Sequence, residues 1–214
     1  MYHMTTDVGE VRKHLSGAKV VAFDFETAPD DAWRDDPKAS LDPHKAHVVG
    51  MSFSITEGDG IYLPIDHSTF YENANMQDAV AFLAEFVHDA NVIKCAHNLA
   101  FESAFLYALG IVIQPPVYDT IAAAQMTLKG NTKFRTLVDC GLKTLVPELF
   151  DTQLPSFEDV TGGLFFDQLD PFDPETIRYA CADADYALRL YHTFNTWFDK
   201  FMPKHRRIVE EIES

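Results

Sequence analysis

Hydrophobic and polar residues follow two different periods along this chain, and these periods predict strands and helices in turn. β-branched and aromatic residues dominate four short runs, which is typical of strands. Longer segments repeat apolar residues every three or four positions and predict amphipathic helices. The predicted strands are 19–26, 48–55, 61–65 and 92–96. The predicted helices are 5–16, 77–89, 98–109, 119–128, 136–146 and a long last helix that begins near Asp173.

The order of these elements predicts an α/β fold with a mixed sheet. The turn at 57–60 is expected to join the second and third strands into an antiparallel hairpin. The strand 92–96 follows a helix and is therefore expected to pair in parallel. Residues 150–175 are rich in proline and acidic residues and predict a loop-rich connection. No linker divides the chain, so we expect a single domain over residues 1–214.

Composition and charge narrow the range of functions. The 214 residues include 17 Phe, enough for a sizeable core, and carry a formal net charge of −16 at pH 7. This acidity argues against a module that holds nucleic acid through positive charge, although carboxylates that bind divalent cations also make a chain acidic. The chain lacks an apolar run of the ~18 residues that a membrane span needs, and it lacks a secretory signal. Three cysteines without paired spacing indicate a reducing compartment, so we expect a cytoplasmic protein with no membrane partner.

Two carboxylates lie close together in the first predicted strand. Alternate residues of a strand face the same side, so Asp24 and Glu26 share one face. Phe23 and Phe25 share the other face, which must be core. Two carboxylates this close repel each other unless a cation or a proton intervenes. Taken alone, the pair is explained more simply by a strand end that emerges into solvent.

The last predicted helix carries a second candidate pair. Tyr179 and Asp183 are one helical turn apart and are therefore neighbours at the border of the apolar stripe. A hydrogen bond between phenol and carboxylate is the simpler explanation of this pair on its own. Asp185 falls on another stripe and is expected to be a solvated residue paired with Arg189.

A third candidate group follows the strand 92–96. Asn98 and Glu102 are one turn apart at the start of a predicted helix, and Phe101 lies between them. An Asn cap and a surface Glu explain this pattern equally well when it is considered alone.

The combination and order of these groups are much more specific than each group alone. Three short motifs resemble, in order, those of the tyrosine subclass of the DEDD exonuclease superfamily: Asp24-x-Glu26, Asn98-x-x-Phe101-Glu102 and Tyr179-x-x-x-Asp183. The histidine subclass would need His at the position of Arg178. Longer segments, among them KVVAFDFETA, VIKCAHNLAFESAFL and RYACADADYALRLY, resemble the proofreading exonuclease domain of bacterial or phage family A DNA polymerases over about residues 15–200.

The resemblance implies a ribonuclease H-like mixed sheet flanked by helices, with three antiparallel strands first and parallel strands after them. The tail 201–214 resembles the helix that leads such chains into a polymerase domain. The chain is therefore expected to be either one domain of such a polymerase or a stand-alone relative, and the resemblance implies a polymerase domain as one candidate partner, in cis or in trans.

The resemblance also implies a two-metal-ion mechanism with Mg²⁺ or Mn²⁺ ions ~3.5–4 Å apart. Asp24, Glu26 and Asp183 would hold the ion beside the nucleophile. Asp24 would bridge to a second ion that Glu102 supports directly or through water. Tyr179 would orient the attacking water.

Three further residues would contact the substrate by the same resemblance. Asn98 and Phe101 would shape the pocket of the terminal nucleotide, and Thr27 would touch its sugar or phosphate through backbone or hydroxyl. Phe165 and Phe166 could stack on bases, although core packing is the expectation for at least one of them.

The implied activity is hydrolysis of terminal phosphodiesters at the 3′ end of single-stranded DNA, which releases nucleoside 5′-monophosphates. Two alternatives stay open: RNA 3′ trimming of the ribonuclease D type, and an inactive domain kept for structure or interaction. One departure supports the last, because the second motif of the family normally ends in Asp where this chain has Glu102, whose reach is longer by about 1.5 Å. Asp119 is a weaker substitute, since the matching Asp of the family lies beside the site.

Overall fold

The computed structural model describes residues 1–68, 71–128, 137 and 139–201, and its centre is one six-stranded sheet. The strands are β1 (Tyr2–Met4), β2 (Val20–Pro29), β3 (Ala46–Ser54), β4 (Gly60–Pro64), β5 (Ile93–Ala96) and β6 (Val117–Asp119). The helices are α1 (Val8–Leu15), α2 (Met76–His88), α3 (Leu99–Ala108), α4 (Thr120–Leu128), α5 (Leu142–Phe150), α6 (Phe157–Thr161) and α7 (Pro174–Phe201).

The sheet is mixed, as the sequence predicts. Its strand order is β1-β4-β3-β2-β5-β6. β2, β3 and β4 form an antiparallel meander, whereas β5 pairs in parallel with β2 and β6 pairs in parallel with β5. The hairpin and the parallel strand expected from the sequence are both confirmed. β2 therefore lies in the middle of the sheet, with β3 on one side and β5 on the other.

Helices cover both faces of the sheet, and the side chains of β2 alternate between them. Val21, Phe23 and Phe25 pack with α1, α2 and α3 on one face. The ring of Phe23 meets the ring of Phe86 edge-on, with 5.5 Å between centroids. Ala22 packs with α4, α5 and α7 on the opposite face. The alternation predicted for this strand is thus confirmed.

The long last helix begins where the sequence predicts. Asp173 accepts a hydrogen bond from the Glu175 amide at 2.9 Å, and Pro174 is the first helical residue. Both features favour a helix start, because the acid satisfies an orphan amide and proline has no amide to satisfy. α7 has 28 residues. Within the described ranges, no helix is long and apolar enough to cross a membrane.

The predicted helix 136–146 is replaced by α5, which begins and ends later. Asp139 explains the later start, because its carboxylate accepts a hydrogen bond from the Gly141 amide at 2.8 Å and holds the chain in a turn. Residues 136 and 138 lie outside the described residues.

Two strands and one helix of the structure are not predicted from the sequence. β1 and β6 have three residues each, which is too short for a periodicity signal, and they exist through pairing with β4 and β5. α6 lies inside the segment 150–175, which was expected to be loop-rich. The expected tail helix 201–214 lies outside the described residues from residue 202 onward, so it stays a prediction.

Asp185 is buried, so the expectation that it is solvated is wrong. Its carboxylate accepts hydrogen bonds from the Tyr2 hydroxyl at 2.6 Å and the Gly58 amide at 2.9 Å. The expected pair with Arg189 is confirmed, with two hydrogen bonds of 3.0 Å. The helical pattern could not show this burial, because β1 and the β3–β4 turn come from the far end of the chain. Asp185 ties both of them to α7.

Replacing Asp185 with Ala should lower the free energy of unfolding by about 2–4 kcal/mol, because it leaves Arg189 without its buried counter-charge. Urea denaturation followed by circular dichroism measures this change. Glu175→Ala is the matched control, since Glu175 lies on the same helix in an exposed pair with Arg178. The control should change stability by less than about 0.5 kcal/mol. Equal effects of the two substitutions on the free energy of unfolding would show that Asp185 does not hold β1 and the β3–β4 turn against α7.

Candidate active site

The middle strand β2 presents two carboxylates toward α7. Side chains alternate between the two faces along β2. Phe23 and Phe25 lie in one core cluster, so Asp24 and Glu26 lie on the opposite face. Asp24 is half-buried, and Glu26 is only 7% exposed. The strand does not emerge into solvent here, so that simpler explanation of the pair is wrong.

A β-bulge follows Glu26 and leaves room for a close approach from β4. Glu26 pairs with Gly50, whereas Thr27 pairs with Val48. A Cβ at Gly50 would lie 2.0 Å from the Tyr62 hydroxyl oxygen, so only glycine fits there. Burial and the charge of Glu26 raise the pKa of Tyr62. The bulge and the glycine thus bring the Tyr62 phenol beside Glu26.

A buried chain of hydrogen bonds supports this phenol. The Tyr62 hydroxyl lies 2.8 Å from His67 Nε2, and His67 Nδ1 lies 3.0 Å from the Leu169 carbonyl oxygen. Burial lowers the pKa of His67 to about 4, so the ring is neutral at pH 7. Nδ1–H therefore donates to Leu169, and Nε2 accepts from Tyr62. Neither residue is predicted from the sequence to have a role at the site.

α7 brings Tyr179 and Asp183 to the acids of β2. Burial and the charge of Asp183 raise the pKa of Asp24 well above its usual range. Burial and the charges of Glu26, Asp183 and Asp24 raise the pKa of Tyr179. These mutual effects show that one phenol and three carboxylates form a cluster. Asp183 accepts a hydrogen bond from Lys143, and among the described residues no hydrogen bond joins the Tyr179 phenol to Asp183.

α3 brings a fourth carboxylate, Glu102, to the same cluster. β5 runs parallel to β2, so the first turn of α3, which follows β5, lies at the end of the sheet at which β2 also ends. Glu102 is 1% exposed, which rules out the solvated surface Glu. Burial and, next, the charge of Asp24 raise the pKa of Glu102 well above its usual range. The side chain is therefore turned toward the other acids.

Asp119, not Asn98, caps α3. Its carboxylate accepts hydrogen bonds from the amides of Asn98 and Leu99, both at 3.1 Å. Asn98 itself has a left-handed backbone, with φ of 77°, and makes no capping hydrogen bond with its exposed side chain. That conformation is uncommon for a residue other than glycine. The Asn-cap explanation is wrong, and Asp119 lies beside the cluster as a residue that positions α3.

The other two expected substrate residues are partly engaged within the fold. The Thr27 hydroxyl donates to the Ser40 carbonyl oxygen at 2.7 Å. Phe101 is half-buried and packs on Phe105, with 4.9 Å between ring centroids. The hydroxyl hydrogen of Thr27 is therefore already engaged, whereas part of the Phe101 ring is open to solvent.

The four carboxylates fit a divalent cation in their chemistry. Burial raises the pKa of each of them, and the charges of neighbouring acids raise it further for Asp24, Glu26 and Glu102. Glu26 Oε1 and Glu102 Oε2 are buried without a hydrogen-bond partner in the part of the chain that is described. Hard oxygen ligands of this kind select Mg²⁺ or Mn²⁺ over zinc. Across the described ranges, no three His, Cys, Asp or Glu side chains are already arranged to hold an ion, so loading would require side-chain rotation.

Lys143 at the start of α5 is the cation that accompanies these acids. Its Nζ lies 3.1 Å from Asp183 Oδ1 and 4.7 Å from the centroid of the Tyr179 ring. The charge of Lys143 lowers the pKa of Asp183 and so opposes the effect of burial. Lys143 is not predicted from the sequence as a site residue, because a single lysine in a short helix does not indicate which distant helix it contacts. Asp183 lies 40 residues further along the chain.

Aromatic rings pack against Tyr179. Phe166 is fully buried and packs on Tyr179, with 5.9 Å between centroids. Phe165 is partly buried, and the Arg34 guanidinium lies over its ring at 4.9 Å. Core packing of one of the two phenylalanines is confirmed for Phe166. A stacking role for Phe166 is therefore wrong.

Solved structures share this fold. NrnC of Brucella melitensis with bound Mg²⁺ matches with a TM-score of 0.60 and 21% identity, over 87% of this chain and 77% of that chain. RNase D of Escherichia coli, an exoribonuclease involved in structured RNA processing, matches with a TM-score of 0.62 and 15% identity, over 100% of this chain and 51% of that chain. At these identities the likeness shows the ribonuclease H-like fold and no more.

Curated relatives are polymerases. DNA polymerase I of Pseudomonas aeruginosa is 26% identical over 209 residues, which cover 94% of this chain and 21% of that protein. The chain thus spans about a fifth of the length of the curated relatives that match it over most of its length. A family model described as 3′-5′ exonuclease, from the DNA polymerase A group, matches residues 3–198. Because that match covers nearly all of the sequence, the chain belongs to the 3′-5′ exonuclease domain family of the family A DNA polymerases.

Proposed function

We propose that this domain removes nucleotides from the 3′ end of single-stranded DNA by metal-dependent hydrolysis and releases nucleoside 5′-monophosphates. The observation that carries the proposal is the convergence of four carboxylates from β2, α3 and α7, of which Glu26 and Glu102 are buried and Asp24 and Asp183 are half-buried. Buried acids with strongly shifted pKa values and no partner are a feature of functional sites. Family membership supports the 3′-5′ direction, and the DNA polymerase relatives support DNA over RNA.

The carboxylates would divide between two ions, Mg²⁺ or Mn²⁺. Asp24, Glu26 and Asp183 would hold one ion, and Asp24 and Glu102 would hold the other. When bound, such a pair of ions supplies hydroxide at neutral pH and stabilises charge on the leaving 3′ oxygen. The solved relative with bound Mg²⁺ supports the choice of metal. Lys143 offsets part of the repulsion at Asp183 before an ion binds.

Tyr179 would position the attacking water. Its raised pKa keeps the phenol protonated at neutral pH, so it serves as a hydrogen-bond donor and not as a base. Phe166 on one side and the Lys143 ammonium over the ring hold the phenol in place. A group fixed in this way can orient water without an entropic loss at each turnover.

The terminal nucleotide would lie along the α3 side of the cluster. The exposed side chain of Asn98 and the open part of the Phe101 ring are available to it, and Thr27 would contribute its backbone. Because the relatives are DNA polymerases of which this chain matches about a fifth, we propose that the domain proofreads for a polymerase domain, in cis or in trans.

The purified protein should release labelled mononucleotide from 3′-labelled single-stranded DNA in Mg²⁺ or Mn²⁺, and EDTA should abolish the release. Mn²⁺ should also raise the melting temperature, because binding to the native state stabilises it. Asp24→Ala should lose both responses, whereas Glu175→Ala, an exposed acid on α7, should keep them. Hydrolysis by Asp24→Ala at the wild-type rate would contradict the assignment of Asp24 to the active site. Faster cleavage of RNA of the same sequence would favour RNA trimming instead.

Tyr179→Phe should lower kcat by roughly 10–1,000-fold, the usual worth of a positioned catalytic group. The Mn²⁺-induced rise in melting temperature should change little, because the phenol is not a metal ligand. Tyr186→Phe, on the same helix, is the matched control and should keep the wild-type kcat. Full activity in Tyr179→Phe would leave Tyr179 with a packing role alone.

Glu102→Ala should lower kcat by more than about 100-fold, because it removes a charge that faces the developing charge of the reaction. Glu102→Asp should cost far less, since it keeps the charge and changes only the reach. Steady-state kinetics of the two variants in Mn²⁺ measure the difference. Wild-type rates in Glu102→Ala would show that Glu102 is a buried remnant and not a working ligand.

A further inference from the structure

A buried hydroxyl without a hydrogen-bond partner lies next to Asp24. Ser52, on β3, is fully buried, and its Oγ makes no hydrogen bond within the part of the chain that the structure describes. Burying such a hydroxyl costs stability, because the group gives up its hydrogen bonds to water and gains none in exchange. Nearly all buried polar groups of folded proteins are paired, so an unpaired one indicates a role outside the packing of the core.

The register of the sheet puts Ser52 beside Asp24. The two residues are direct partners in the antiparallel pairing of β2 with β3. Side chains of such partners lie on the same face, with about 4.5–5.5 Å between their Cβ atoms. Met51 and Phe53, the chain neighbours of Ser52, pack in the core on the opposite face. Ser52 therefore faces α7, as Asp24 and Glu26 do.

Two other neighbours of Ser52 on this face are engaged elsewhere. Tyr62, its partner on β4, has a phenol that is engaged by His67 at 2.8 Å. Ser54, two residues further along β3, donates to a backbone carbonyl oxygen of the β3–β4 turn at 2.8 Å. In the row of side chains across β2, β3 and β4, the acceptor that is left for Ser52 Oγ is therefore the Asp24 carboxylate.

We propose that Ser52 is a positioning residue that donates a hydrogen bond to the Asp24 carboxylate when divalent cations bind. The inference rests on the proposed function, because it requires the carboxylates to act as metal ligands. Across the described ranges, no three His, Cys, Asp or Glu side chains are arranged to hold an ion, so the carboxylates must rotate to bind one. Ser52 would hold the Asp24 carboxylate in its rotated position.

A hydrogen bond from outside the metal site matters most for the ligand that both ions share, which is Asp24 in the proposed function. A carboxylate has about four lone-pair sites, and bonds to two ions use only two of them. A hydrogen bond to one of the remaining sites orients the carboxylate and raises its affinity for metal. A hydroxyl does this without a positive charge, whereas Lys143, the cation at Asp183, repels an incoming ion.

Ser52→Ala tests this role with and without metal. In EDTA, the melting temperature should stay the same or rise, because the substitution removes a buried hydroxyl that has no partner. In Mn²⁺ without substrate, the dissociation constant for Mn²⁺ should increase about 10–100-fold, the usual effect of removing a hydrogen-bond partner of a metal ligand. Electron paramagnetic resonance of free Mn²⁺ measures the dissociation constant, and scanning calorimetry measures the melting temperature.

Ser54→Ala is the matched control. Ser54 lies on the same strand and the same face and is also fully buried, but its hydroxyl donates to the Asp59 carbonyl oxygen at 2.8 Å. Its replacement should lower the melting temperature in EDTA and leave the dissociation constant for Mn²⁺ unchanged. The two serine variants are therefore expected to differ in opposite directions in the two measurements, a result that a general disturbance of β3 does not produce.

Kinetics separate a role in metal binding from a role in strand binding. In Ser52→Ala, the Mn²⁺ concentration for half-maximal hydrolysis should rise by the same factor as the dissociation constant for Mn²⁺. The KM for single-stranded DNA at saturating Mn²⁺ should keep its wild-type value, because a fully buried side chain does not reach the strand. A higher KM with an unchanged requirement for Mn²⁺ would overturn the assignment.

The outcomes distinguish this inference from the proposed function. Wild-type affinity for Mn²⁺ in Ser52→Ala would overturn the role of Ser52 while metal-dependent hydrolysis by the wild-type protein continued. Equal losses of Mn²⁺ affinity in Ser52→Ala and Ser54→Ala would also overturn it. So would a Mn²⁺-bound crystal structure in which Ser52 Oγ lies more than ~3.5 Å from both carboxylate oxygens of Asp24. Absence of metal-dependent hydrolysis in the wild-type protein would overturn both proposals.

Discussion

Repulsion among four carboxylates, two of them buried and two half-buried, is the constraint on which the rest of this structure depends. Asp24 and Glu26 on β2, Glu102 on α3 and Asp183 on α7 come together in one place. Burial raises the pKa of each, and the charges of neighbouring acids raise it further for Asp24, Glu26 and Glu102. Such an arrangement destabilises a fold unless a positive charge joins it. Lys143 supplies one charge, and two carboxylate oxygens are left without a partner among the described residues.

The remainder of the fold holds these acids against their repulsion. The bulge after Glu26 and the bare backbone of Gly50 admit Tyr62, whose hydrogen bond to His67 anchors the segment around Phe166. Asp119 fixes the first turn of α3 and with it the direction of Glu102. These contacts do not touch the proposed metal positions. They set the orientations of the carboxylate side chains that would bind the metal ions.

The acidity of the chain extends beyond the four carboxylates of the site, since the sequence has 33 Asp and Glu against 17 Lys and Arg, and it would oppose the binding of a nucleic-acid strand. A protein that concentrates carboxylates for metal binding repels the phosphates of its substrate. Bound cations at the cluster would attract the scissile phosphate locally, whereas affinity for the rest of the strand would have to come from other contacts. The groups that perform the hydrolysis would then be separate from those that supply most of the affinity for the strand. This separation suits a domain whose relatives are longer polymerases.

The sequence by itself determined the local features: the alternation of β2, the one-turn spacing of Tyr179 and Asp183, and the start of α7 at Asp173. These depend on strand and helix periods, which a sequence shows directly. Only the tertiary structure decided that Asp185 is buried, that Asp119 caps α3 and that Lys143 reaches Asp183. Each of these depends on which distant elements pack together, and a single side chain in a local pattern carries no record of that choice. The resemblance to a known family predicted that the acids belong to one site. Their burial and their oxygens without a hydrogen-bond partner follow only from the tertiary structure.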